Sequence, residues 1–175
     1  MQQPNIQSLA KVAIVGHPAV GKTTIMKLLS KKTIERMYVP TQGFDLKTVK
    51  IGKVYLKVWD FGGQKAYLKA YLKDYLRGSD LVFVVTDSTP RNVLTSKELI
   101  EYTNDILEDD ECPIIAIANK QDLCEKDGRM TAERVENVLR VDTIGLTAIK
   151  RSERKKLMKY IKNELEQVLK RKERN

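Results

Sequence analysis

Gly16-His17-Pro18-Ala19-Val20-Gly21-Lys22-Thr23 fits the pattern G-x-x-x-x-G-K-[ST] at every fixed position. Before it runs Val12-Ala13-Ile14-Val15, an apolar stretch that reads as a buried strand, and after it a helical pattern runs from Gly21 to Ser30. Strand, glycine-containing loop and helix in that order form a phosphate cradle. The glycines let successive backbone N–H groups turn inward, and the helix N-terminus adds its partial positive charge. His17, Pro18, Ala19, Val20, Gly21, Lys22, Thr23 and Thr24 are the candidate phosphate-binding residues. The Lys22 ammonium is placed to reach the outer phosphates, and the Thr23 hydroxyl to bind a magnesium ion.

Outward from this loop, apolar runs alternate with helix-period segments. Phe44 to Ile51 and Val54 to Trp59 predict two strands of an antiparallel hairpin turning at Gly52-Lys53. Leu81 to Thr86 and Pro113 to Ala118 have the unbroken apolar character of strands buried on both faces, and Ile144 to Ile149 predicts a weaker last strand. Leu68, Tyr71, Leu72, Tyr75 and Leu76 form one apolar helix face. Arg91 to Leu107 and Thr131 to Leu139 predict further helices. In the basic C-terminal segment Leu157, Ile161, Leu165 and Val168 form a stripe that predicts docking on the sheet. The alternation implies a doubly wound α/β fold, a mostly parallel six-stranded sheet with one antiparallel edge strand.

Three more segments carry chemistry. Trp59-Asp60-Phe61-Gly62-Gly63-Gln64 begins at a strand end. Asp60 there can hold magnesium through water, Gly63 can offer a bare N–H to a terminal phosphate, and Gln64 can orient an attacking water. Asn119-Lys120-Gln121-Asp122 follows a strand at the sheet edge where open α/β folds bind ligands. A carboxylate such as Asp122 accepts from the N1–H and 2-amino groups of guanine, a donor pair adenine lacks. Pro40-Thr41-Gln42-Gly43-Phe44 is a helix-to-strand turn whose Thr41 hydroxyl can complete a magnesium shell.

The chain has 175 residues and 42% apolar content, enough for one core without disulfide or metal staples. Residues 1–175 are expected to form a single domain, with 1–10 a short polar leader and 150–175 a basic helix. No run approaches the ~20 apolar residues of a spanning helix. Cys112 and Cys124 stand at no metal or redox spacing, so free thiols in the cytoplasm are expected. The net charge is +9, and the segment from Lys150 to Asn175, with eleven Lys/Arg and four Glu, carries +7 of it. That segment reads as a solvated helix face or as a surface for an acidic membrane or nucleic acid. No aromatic stacking surface or binding motif supports nucleic acid as a partner.

Taken together, these motifs resemble those of the Arf/Arl/Sar branch of the Ras superfamily of small GTPases, from about Lys11 to the last helix. The Gly62-Gly63 pair, Pro40-Thr41-x-Gly43-Phe44 and Asn119-Lys120-Gln121-Asp122 are the Arf-like features. The resemblance implies a GTP/GDP switch with magnesium as cofactor and slow hydrolysis. Its catalytic residues would be Gln64, Lys22 and Thr41, and its metal site Thr23, Thr41 and, through water, Asp60. Asn119, Lys120, Asp122, Thr147 and Ala148 would bind guanine, and Phe44, Trp59 and Tyr75 would form an effector-reading triad. It also implies an exchange factor, a GTPase-activating protein and effectors as partners, and a hairpin between the switches that shifts register with the nucleotide. The alternative is an adaptor that binds GTP with negligible hydrolysis.

Several positions depart from the family pattern. Residue 2 is Gln, where Arf proteins carry a myristoylated glycine, and no prenylation cysteine stands at the end, so no lipid anchor is expected. Peripheral membrane association would then fall to the basic C-terminal helix. Pro18 brings a rigid residue without an N–H into the phosphate loop. His17 reads as a loop spacer rather than a catalyst. Arg36 precedes Thr41 by five residues, against three for the built-in arginine of Gα proteins, so no built-in arginine finger is expected.

Overall fold

A computed structural model describes residues 10–31, 45–60 and 65–174. The strands are β1 (Ala10–Gly16), β2 (Asp45–Ile51), β3 (Val54–Asp60), β4 (Leu81–Thr86), β5 (Ile114–Ala118) and β6 (Thr143–Gly145). The helices are α1 (Lys22–Leu29), α2 (Lys65–Leu76), α3 (Pro90–Ile106), α4 (Ala132–Leu139) and α5 (Glu153–Lys172). A 3₁₀ turn spans Gln121–Leu123. The six strands form one sheet in the order β2-β3-β1-β4-β5-β6. Five of them run parallel, and β2 is the antiparallel edge, paired with β3 from Asp45↔Asp60 to Ile51↔Val54.

The two-residue alternation of strand side chains divides the core between two faces. Val12, Ile14, Leu56, Phe83 and Ile117 meet α1 and α5 on one face through Ile25, Leu29, Leu157, Ile161 and Leu165. Ala13, Val15, Val82, Val84 and Ala116 meet α2, α3 and α4 on the other through Leu72, Leu76, Val93, Ile100 and Val135. The four-residue stripe of α5 is therefore the docking face that its spacing predicts. Along α2, Leu72 and Leu76 are buried, but Tyr71 is 49% exposed, so the apolar face read from the sequence is narrower in the fold.

The helix after β1 covers one face and the helix after β4 the other. The chain thus reverses its winding between these adjacent strands, and a crevice opens beyond their C-terminal ends. The last strand corrects the expectation of Ile144 to Ile149: β6 stops at Gly145. Its neighbours are otherwise engaged. The Ala148 N–H donates to the Asn119 side chain, and Thr147 closes a turn by accepting from the Lys150 N–H. Among the described residues no helix is long and apolar enough to cross a membrane.

Candidate functional site

The loop after β1 shows why its glycines stand where they do. A Cβ on Gly16 would fall 2.6 Å from the Val85 carbonyl oxygen of the neighbouring strand. Gly21, the residue before α1, has φ +104, and a Cβ there would fall 2.2 Å from Asn119 Nδ2. Both constraints, the left-handed backbone and the close approach, leave room for glycine alone. Lys22 opens α1 and is only 3% exposed. Its Nζ donates to the carbonyls of Gly16 at 2.8 Å and His17 at 2.6 Å. The ammonium therefore sits inside the loop it follows, beside a helix N-terminus of the same sign.

Thr23 and Thr24 lie half-buried in the first turn of α1, and Pro18 and Ala19 form the exposed tip of the loop. His17 turns away: its Nε2 lies 3.3 Å from the Thr95 carbonyl of α3, so the ring braces the loop from outside.

Asn119, one residue past β5 and 2% exposed, is the junction of the site. Its Nδ2 donates to the Val20 carbonyl at 2.9 Å, and its Oδ1 accepts from the Ala148 N–H at 3.1 Å. Its own N–H donates to Thr86 at 2.9 Å, and its carbonyl accepts from Ser88 Oγ at 2.6 Å. One buried side chain thus joins the loops after β1, β5 and β6. Lys120 has left-handed backbone, φ 61, which swings its side chain back over the first loop, and Nζ donates to the Ala19 carbonyl at 2.9 Å. Burial lowers the Lys120 ammonium from its ordinary pKa, Asp87 and Asp122 oppose that shift, and Arg129 adds to it. Asp122 is exposed, free to meet a ligand. Thr147 and Ala148, faint as a sequence motif, are 7% and 2% exposed, and Ala148 is held by Asn119.

Sequence reading missed the layer beneath. Ser88, with φ 68, also accepts from Gln121 Nε2 at 2.9 Å. Gln121 Nε2 donates as well to the Met130 carbonyl at 3.1 Å, and its Oε1 accepts from the Ala132 N–H at 3.1 Å. Arg129 Nη1 donates to the Asp87 carbonyl at 2.7 Å. The available signal was Asp87-Ser88-Thr89-Pro90, a strand end followed by a capping threonine and a first-turn proline.

The remaining predicted residues are placed in part. Asp60 ends β3, two residues beyond Val58, which pairs with Ile14, so its backbone lies level with Gly16. Thr41, Phe44, Gly63 and Gln64 lie outside the described residues, as does the side chain of Trp59. Tyr75 is half-buried, and its hydroxyl donates to the Lys57 carbonyl of β3 at 2.5 Å and lies 3.4 Å from the Ile14 carbonyl of β1.

The chain matches the model of the ADP-ribosylation factor family over residues 2–171. It is 34% identical over 138 residues to ADP-ribosylation factor-like protein 3 of Chlamydomonas reinhardtii, covering 77% of this chain and 74% of the relative. It is 32% identical over 117 residues to the protein of the same name in Caenorhabditis elegans, covering 65% of this chain and 61% of that relative. Its fold resembles that of the Arl6 BBS3 small GTPase of Trypanosoma brucei, solved with the nucleotide analogue GppNp, with a TM-score of 0.69 and 19% identity over 91% of this chain and 98% of that one. With that family model matched over residues 2–171, the chain belongs to the ADP-ribosylation factor family of small GTPases.

Proposed function

We propose that this chain is a molecular switch that binds GTP or GDP with magnesium and hydrolyses GTP slowly to GDP and phosphate. The observation that carries the reading is the Asn119 junction. It sets a base-side loop bearing Lys120 and Asp122 against a phosphate loop holding a buried lysine. In this reading Lys22 binds the outer phosphates and Asp122 selects guanine. Lys120 covers the nucleotide, and the turn at Thr147 and Ala148 closes on the base. Thr23 and Thr41 would hold the magnesium ion, with Asp60 acting through water. The ion would supply charge neutralisation on the phosphates.

Gln64 orients the attacking water, and Thr41 and Gly63 carry the presence of the γ-phosphate to the switch segments. Intrinsic turnover of such proteins is on the order of 10⁻⁴ to 10⁻² s⁻¹, and an arginine supplied by a partner accelerates it up to ~10⁵-fold. An exchange factor, an activating protein and effectors are the implied partners. The test is Gln64→Leu. Hydrolysis should slow while GTP affinity stays within a few-fold, and unchanged hydrolysis removes the role of Gln64.

A further inference from the structure

We propose that the exposed face of α5 docks this protein on an anionic lipid surface. The inference is independent of the switch reading. It rests on how the charges of this helix are paired. Arg151, in the turn leading into α5, and Lys155, Lys159 and Lys162 follow at spacings of four, four and three, one column on a helical surface. All four are exposed. The column is about 17 Å long at 1.5 Å per residue.

Among the described residues one acid of the helix meets the column, Glu166 at its Lys162 end. Glu153 pairs with Lys156 at 3.5 Å and Glu166 with Lys162 at 4.0 Å. Glu164 bears on Tyr160, whose phenol burial and that carboxylate push up to about 12. Arg151, Lys155 and Lys159 have no ion pair with any described residue. Like charges four apart oppose helix formation. The opposite face supplies the stability of this helix, because Leu157, Ile161, Leu165 and Val168 are all buried.

The choice of a lipid surface over a polyanion rests on exposed apolar side chains near the two ends of the segment. Ile149, two residues before Arg151, is 48% exposed, and Leu169, seven residues past Lys162 and so on the same side, is 56% exposed. A basic helix with exposed large apolar side chains near both ends complements headgroup charge and the acyl boundary together. A nucleic acid would use the cations but not these side chains, and no aromatic residue stands in the column for base stacking.

The test is sedimentation of the full-length protein with vesicles of phosphatidylcholine alone and of three parts phosphatidylcholine to one part phosphatidylserine. Binding should require phosphatidylserine and fall at high salt. The pair Lys155→Glu with Lys159→Glu should weaken it by more than about 25-fold, since losing two cations costs roughly fivefold each and the new carboxylates add repulsion. Ile149→Ser with Leu169→Ser should weaken it further at constant charge. These positions are exposed, and an unchanged circular dichroism melt confirms the fold of each variant. Lys97→Glu with Lys126→Glu, exposed lysines elsewhere, is the control. No binding to the anionic vesicles overturns the proposal, as does equal weakening by the control pair. Duplex DNA binding more tightly than the vesicles, with loss on the α5 charge reversals but not on the serine variants, assigns the face to nucleic acid instead.

Discussion

The side-chain amide of Asn119 donates to the backbone carbonyl of Val20 at 2.9 Å, across 99 residues of sequence. This bond and the close approach of Gly21 to the same amide nitrogen join the loop after β1 to the loop after β5. A nucleotide bound there would find its two ends already set at a fixed distance, which lowers the ordering cost of binding.

Replacing Asn119 by Ala strands two buried backbone groups, the Val20 carbonyl and the Ala148 N–H. Each costs about 1–3 kcal/mol when unsatisfied, so a stability loss of about 2–6 kcal/mol is expected in urea unfolding. Asn119→Asp keeps the acceptor for Ala148 but sets an oxygen against the Val20 carbonyl, and its loss should lie between wild type and Ala.

Gly21→Ala meets both a left-handed backbone and the Asn119 nitrogen. The backbone alone costs about 1–2 kcal/mol. The rest of the effect is displacement of Asn119, so Gly21→Ala and Asn119→Ala should be non-additive, with a coupling above about 0.5 kcal/mol in a double-mutant cycle. Additive losses would show that the two residues act separately.

Asp122→Asn replaces an acceptor-only carboxylate with an amide that turns one donor toward the guanine edge. GTP affinity measured by fluorescent-analogue displacement should fall roughly 100-fold, since hydrogen bonds to a charged group contribute about 1.5–3 kcal/mol each. ATP affinity should change little. An equal effect on both nucleotides would mean that Asp122 does not read the base.

Cys112 sets a pH dependence unrelated to nucleotide. Burial, with help from Asp80 and Asp110, pushes its thiol from 9.0 to about 12. Between those values the unfolded thiol has lost its proton and the folded one has kept it, so stability falls as pH rises. The full contribution is present below pH 9 and is lost on passing through about pH 12. The slope from this one group approaches about 1.4 kcal/mol per pH unit. Cys112→Ala should flatten the fall in denaturant midpoint over that window.

The sheet was legible because buried parallel strands write themselves as apolar runs, and Leu81 to Thr86 matches β4 at both ends. The end of β6 was not legible, because Leu146 to Ile149 are apolar enough to extend a strand. What stops them is a partner 29 residues away: Ala148 bonds to Asn119. The phosphate loop and the loop at Asn119 were readable as fixed residue types at fixed spacing. The support from Ser88 and Gln121 was not, because a hydroxyl and an amide take their meaning from contacts that only the fold creates. Tyr71 looked like part of a helix face by period alone, and the fold leaves it half in solvent.

A single-turnover time course is the decisive measurement for a guanine switch with its own slow clock. The purified protein is loaded with GTP and magnesium, freed of excess nucleotide, and its bound nucleotide is followed by chromatography. The account predicts GDP appearing over minutes to hours, slowed by Gln64→Leu. Bound GTP that stays intact over that time would contradict it and leave a nucleotide-stabilised adaptor.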